Sequence, residues 1–201
     1  MRSCYKSGHK SVLEFAQFHF HIEGVSRSLL AQLTRHRTAS FAVRSQRYCI
    51  EDKAINIMPP SILGNDEASQ VFIDCMQNIQ DTYSQLMNMG IPNEDARFVL
   101  SNACGTTLDM TIDFRNLCHF MNERLCAHAQ WEIQMLALLM RVEVVNVFPE
   151  SESMLVPKCE SFPVPMCPEQ RKPCGKHITA RKVQAILDQY FEKEREEKQH
   201  E

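Results

Sequence analysis

The chain has no apolar run long enough to cross a bilayer. Its first residues, Met1-Arg2-Ser3-Cys4-Tyr5-Lys6, carry two cations with no apolar core behind them, so they are not expected to act as a secretory signal. It has no strong charge of either sign: the formal net charge of -3 removes any general attraction to nucleic acid or anionic membrane. An anionic ligand must then be held by local arginines. Aromatic residues are only 8% of the chain and are not interleaved with the basic ones, which argues against stacking platforms for bases. No internal repeat appears. The nine cysteines include no Cys-x-x-Cys pair, and their odd number excludes a complete disulfide framework. With no export signal expected they read as reduced thiols, and a cytoplasmic location is expected.

What is present is ordinary globular usage over 201 residues, 44% hydrophobic and 23% charged, enough for one compact domain with a sizeable core. Alternation of Ala16, Phe18, Phe20 and Ile22 predicts a strand over Leu13–Ile22, with Phe15, Gln17, His19 and His21 on its other, semi-polar face. Gly24 breaks that pattern, and Ser26 offers an N-cap to a helix carrying Leu29, Leu30 and Leu33. From Thr38 to Cys49 no period persists, so an ordered loop is expected. Pro59 and Pro60 mark a turn. Asn65 caps a long helix with a stripe of Phe72, Met76, Ile79, Tyr83 and Leu86, ended by Gly90. Pro92 opens a short helix containing Arg97. A second strand is predicted over Thr106–Ile112. Two helices follow, Arg115–Leu125 and His128 to about Phe148. A Pro- and Cys-rich stretch spans Pro149–His177. Thr179 caps a last helix whose charged end, Glu192–Glu201, is expected to fray. The fold class is α+β: a helix-dominated single domain with a small antiparallel sheet. Residues 1–148 would form the main body of the domain, and 149–201 a loop and helix packed on it.

The densest chemistry lies in Arg35-His36-Arg37-Thr38-Ala39-Ser40-Phe41-Ala42-Val43-Arg44-Ser45-Gln46-Arg47-Tyr48, with four Arg, one His and two Ser in fourteen positions. Guanidinium forks suit bidentate phosphate contacts, and hydroxyls with loop amides complete an anion site. Gln32 lies one helical turn upstream. An isolated arginine cluster is more often a solvated basic face. Here the order of residues counts: Arg-His-Arg, seven residues, then Ser resembles the defining motif of flavin-dependent thymidylate synthases, including Ser40 and the closing Arg47-Tyr48. Gly8-His9-Lys10-Ser11 resembles that family's upstream block. Asp95-Ala96-Arg97 is similar to its arginine-bearing segment. Phe114-Arg115-Asn116-Leu117, Arg124 and His128-Ala129-Gln130-Trp131 resemble its last active-site block. The likeness covers most of residues 8–148.

The resemblance implies an enzyme that methylates deoxyuridine monophosphate (dUMP) to dTMP. Methylenetetrahydrofolate would be the one-carbon donor, FAD the cofactor and NADPH the reductant, and no catalytic cysteine is needed. It places Gln32, Arg35, Ser45, Gln46, Arg47, Arg97 and Arg124 on the nucleotide, with Arg124 as the activating, catalytic residue. His9, Ser11, Arg35, His36, Arg37, Asp113, Arg115, His119 and His128 would lie near FAD. A homotetramer with active sites shared between subunits is implied, with no membrane partner and no nucleic acid. Ala42 and Val43 stand where the family usually has Asn and Glu, Gln46 where it has Gly, and Asp113 and His119 where Asn is common. Only seven residues precede Gly8, where the family usually has a further strand and helix. Two other readings stay open: a flavin-dependent pyrimidine nucleotide hydroxymethylase, or a non-catalytic nucleotide-binding protein. Cys159, Cys167, Cys174 and His177 could ligate a structural zinc; free thiols in a surface loop are the alternative.

Overall fold

The computed structural model describes residues 5, 7–51, 54–169 and 171–197. The chain divides into two compact units, one of residues Gln17–Asp113 and the other of the residues up to Ala16 together with those from Phe114 on.

The middle unit is built on an antiparallel sheet of three strands, β1 (Gln17–Ser26), β2 (Ser40–Val43) and β3 (Gly105–Asp113), with β3 between the other two. Residues alternate across β3, and Thr106, Leu108, Met110 and Ile112 are buried. The predicted first strand is displaced: Lys10–Phe15 is a 3-10 helix with Phe15 exposed, and pairing starts only at Gln17. Period-two alternation in a short segment cannot tell these apart; the β3 partner decides. Nor does Gly24 end the strand. With φ 67° it lets β1 bulge between Ile22 and Val25 and continue to Ser26. Ser26 Oγ then accepts from Leu29 N at 3.0 Å and caps α1 (Arg27–Leu33). The segment expected as a loop contains β2, a strand too short to carry a period of its own and fixed by pairing with Thr111 through Leu108.

Past α2 (Pro60–Leu63), the Asn65 side chain caps α3 (Asp66–Asn88) by accepting from Ala68 N at 3.0 Å. Of the predicted stripe, Tyr83 is buried, and Phe72, Met76, Ile79 and Leu86 are half-buried. Pro92 leads into α4 (Asn93–Ala96), and Arg97 opens the 3-10 turn Arg97–Val99. Gly105 N donates to Ile55 O at 2.6 Å, and a Cβ on Gly105 would lie 2.8 Å from that same backbone oxygen. Gly105→Ala is therefore expected to cost about 1–3 kcal/mol through overpacking, read as a drop in the urea midpoint at unchanged slope.

In the other unit, α5 (Phe114–Arg124) and α6 (Trp131–Val147) supply the core with Leu13: Phe114, Leu117, Phe120, Met121, Ile133, Ala137, Met140 and Val144 are buried. The helix predicted from His128 starts three residues later. Gln130 Oε1 caps it, accepting from Glu132 N and Ile133 N at 3.0 and 3.2 Å, a role glutamine rarely signals in sequence. The segment after α6 is tied back by Arg141 Nε to Leu155 O at 2.8 Å and Asn122 Nδ2 to Val156 O at 2.7 Å. Thr179 caps α7 (Ala180–Glu197) as predicted, with Lys182 N 3.3 Å from its hydroxyl. The far end of the expected fraying tail, 198–201, lies outside the described residues.

Candidate active site

In the middle unit, the chain leaves α1 through a run of tight turns: Arg35 N donates to Gln32 O, His36 N to Leu33 O and Ala39 N to His36 O, at 3.1–3.3 Å. These turns present Arg35 and Arg37 to solvent on either side of a half-buried His36. Among the described residues neither arginine forms an ion pair. Two exposed guanidinium groups carried by one run of backbone turns, with no carboxylate paired to either among the described residues, suit an incoming phosphate.

The next arginines are engaged differently. Arg44 holds the loop together: its Nε donates to buried Glu51 at 3.3 Å, a bond that pushes its own pKa up. Tyr83 Oη accepts from Glu51 N at 3.2 Å and Gln80 Nε2 donates to Glu51 O at 2.9 Å, so α3 anchors the loop's end. Ser45 Oγ accepts from Arg47 N at 3.3 Å, and Ser45 O accepts from Cys49 N at 2.9 Å. Gln46, at the position where glycine is usual, turns its amide to Cys104 Sγ at 3.4 Å. Arg47 reaches one oxygen of Glu94 through Nη2 at 2.7 Å and Nε at 3.0 Å, while Arg97 Nε donates to Glu94 O at 3.1 Å. Two arginines fifty residues apart thus meet at Glu94, which the sequence reading passed over. Arg97 meets the Glu94 backbone carbonyl and Arg47 its carboxylate, so no local side-chain spacing marks Glu94 in the sequence.

Ala42 and Val43 lie in β2, opposite Asp109 and Leu108, so strand pairing takes over from polar side chains there. On the neighbouring sheet surface, His21 Nδ1 is 2.9 Å from Asp109 Oδ1 and its Nε2 3.2 Å from Glu23 Oε1. The hydrogen bond to Asp109, then that to Glu23, raises the His21 pKa above its ordinary 6.5; the same bond lowers that of Asp109 below 3.8. A raised histidine pKa contributes stability below pH 6.5 and loses it as pH rises through the folded value. A depressed aspartate pKa contributes above 3.8 and loses it as pH falls. Both contributions are therefore complete between those limits. Titration of the His21 ring protons by NMR should give an apparent pKa above 6.5 that moves back toward it in Asp109→Asn.

In the other unit, His9 precedes the 3-10 helix that carries Ser11, and both are exposed. Arg115 on α5 pairs with Glu14 of that helix, and His119 stands one turn further along the same exposed face. Arg124 ends α5 and, with His128, lines an open cavity of about 590 Å³ together with Lys158, Lys176 and several cysteines. Asp113 is the last residue of β3. Each unit thus gathers its own share of the expected residues: Gln32, Arg35–Arg37, Ser45–Arg47, Arg97 and Asp113 in one, and His9, Ser11, Arg115, His119, Arg124 and His128 in the other.

The family model described as thymidylate synthase complementing protein matches residues 1–150. The chain is 42% identical over 178 residues to a flavin-dependent thymidylate synthase of Geobacter sulfurreducens, covering 88% of this chain and 75% of that one. It is 38% identical over 192 residues to one from Clostridium tetani, covering 88% and 76%. A Pyrococcus furiosus homologue is 38% identical over 171 residues, covering 81% and 69%. The chain belongs to the flavin-dependent thymidylate synthase family. The family match ends at residue 150, so the cysteine-rich segment and α7 lie beyond it. No helix among the described residues is long and apolar enough to cross a membrane.

Proposed function

We propose that the protein is an FAD-dependent thymidylate synthase that methylates dUMP to dTMP with methylenetetrahydrofolate as one-carbon donor and NADPH as reductant. The observation carrying this reading is the turn after α1, where Arg35 and Arg37 stand exposed without an ion pair among the described residues, inside the family's own motif. Each unit by itself carries donors suited to a phosphate-rich flavin nucleotide: Arg35, His36 and Arg37 in the middle unit, and His9, Ser11, Arg115, His119 and His128 in the other. Bound flavin supplies the electron transfer between the nicotinamide and the one-carbon unit.

The chain's own residues bind and polarise. Arg35, Ser45, Arg47 and Arg97 hold the nucleotide's phosphate and sugar, with Gln32 and Gln46 beside them. Glu94 keeps the Arg47 fork oriented until the more strongly charged phosphate replaces it as acceptor. Arg124 places a positive charge where negative charge develops on the pyrimidine ring, an electrostatic contribution largest in a site sheltered from water. None of the cysteines takes part.

A homotetramer is part of the same reading. It is supported by α6, which exposes Met135, Leu138, Leu139, Val142 and Val147 while burying Ile133, Ala137, Met140 and Val144. A helix apolar on all sides needs cover on its outer face as well. A zinc ion held by the late cysteines would act structurally, outside the reaction. Residues 1–148 are read as the catalytic part and 149–201 as its appendage.

The test is spectroscopic. Purified with FAD, the protein should show a bound-flavin absorption band that bleaches on adding NADPH, at a rate that responds to dUMP. With methylenetetrahydrofolate present, dTMP should accumulate. Absence of flavin binding would overturn the reading, and a hydroxymethylated nucleotide as sole product would overturn the methylation step.

A further inference from the structure

The late cysteine-rich segment takes no part in the proposed reaction, yet its backbone is folded to bring particular side chains together. Met166 N donates to Cys159 O at 2.9 Å, Cys167 N to Ile178 O at 2.8 Å and Ala180 N to Cys167 O at 2.9 Å. These three bonds lay residues 159–160 beside residue 177. One donor atom each from Cys159, Glu160 and His177 then falls within 4.8 Å of the others. Cys167 and Cys174 line the cavity alongside but stand outside this group. Glu160 takes a place that spacing alone would give to a third cysteine.

We propose that Cys159, Glu160 and His177 form a structural site for a tetrahedral zinc-type divalent cation. A thiolate, an imidazole and a carboxylate are the ligand types zinc accepts, at metal distances of about 2.0–2.3 Å, and three such atoms can close to that range with small side-chain rotations. The imidazole supplies a second, independent sign. His177 Nε2 is shut off from solvent and makes no aligned hydrogen bond; it faces Glu160 Oε1 at 3.5 Å as a long ion pair. A shielded ring nitrogen left with one long carboxylate contact in place of a well-aligned hydrogen bond is uncommon, and a metal ion between the two groups would satisfy both. A cation already sits at the carboxylate: Lys176 Nζ is 2.6 Å from Glu160 Oε1. Zinc binding displaces that ammonium into the adjoining cavity, which Lys176 also lines. The fourth position falls to water; Cys126 lines the same cavity but stands outside the cluster of donor atoms. The ion would replace a hydrophobic core in a segment joined by few backbone bonds, and would fix residues 157–180 against the turn between Arg124 and His128.

The full-length protein, prepared with and without chelator, is titrated with Zn²⁺ and separately with Co²⁺. The expected result is about one ion per chain, with a Co²⁺ spectrum showing tetrahedral bands and thiolate charge transfer, and a thermal midpoint raised by Zn²⁺. Cys159→Ser and His177→Gln should each weaken Zn²⁺ binding roughly a hundredfold or more, while circular dichroism keeps the helical content. Cys75→Ser, exposed on α3, should bind as the parent does, and Lys176→Gln should bind more tightly because the competing ammonium is gone. No stoichiometric ion in the parent protein overturns the site. So does full binding by His177→Gln, which would assign any ion to the other cysteines.

Discussion

Arg124→Ala is expected to lower thymidylate formation by about 10²–10³-fold while leaving flavin content and folding unchanged, the range seen when a single preorganised charge-stabilising donor is removed. The position explains why the effect should fall on turnover. Arg124 is half-buried at the C-terminal end of α5, where a cation is favoured by the helix dipole, so its charge has a fixed place before substrate arrives. It faces a cavity, and Cys126 and His128 follow it on the next turn. Arg124→Lys keeps the charge but loses the planar fork, and should recover part of the rate. Steady-state kinetics with dUMP and single-turnover oxidation of the reduced enzyme make the check. Wild-type turnover in Arg124→Ala would remove this side chain from the chemistry.

The largest effect on stability is expected at Phe114. Its ring is fully buried, packs edge-on to Phe148 with centroids 5.6 Å apart, and its backbone N–H donates to Ala16 O at 2.8 Å. Truncation to alanine should cost about 3–5 kcal/mol for the lost side chain and its cavity, with roughly 0.5–1.5 kcal/mol of that tied to the ring pair. Against a typical total stability of about 5–15 kcal/mol, this leaves little margin. Phe114→Leu, which keeps most of the volume, should cost clearly less. Urea unfolding followed by far-ultraviolet circular dichroism compares the two. Equal midpoints for parent and Phe114→Ala would mean that this ring does not hold the unit together.

The sequence was informative wherever a local rule operates without a distant partner. The Ser26 and Asn65 caps, the α3 stripe from Phe72 to Leu86, and the alternation along β3 are consequences of neighbours a few residues apart. Elements that depend on pairing were misplaced. β2 is a strand because β3 lies beside it, and Lys10–Phe15 is not one because no strand among the described residues pairs with it there. The start of α6 moved to Trp131 because a glutamine side chain happens to reach two backbone amides, which no propensity anticipates.

At the site, residue order in Arg35-His36-Arg37 through Ser45 was enough to identify the family, because that order records chemistry rather than shape. Tertiary structure distinguished the arginines from one another. Arg35 and Arg37 stand without an ion pair among the described residues, Arg44 is committed to Glu51 inside the loop, and Arg47 and Arg97 meet at Glu94. Spacing offered Cys159, Cys167, Cys174 and His177 as one metal set; the fold of residues 157–180 brought Glu160 to Cys159 and His177 instead. Side-chain types and their order are written in the chain, so the reaction class could be read from it. Which charges are neutralised and which donor atoms converge depends on contacts between residues far apart in sequence, and only the folded chain brings those together.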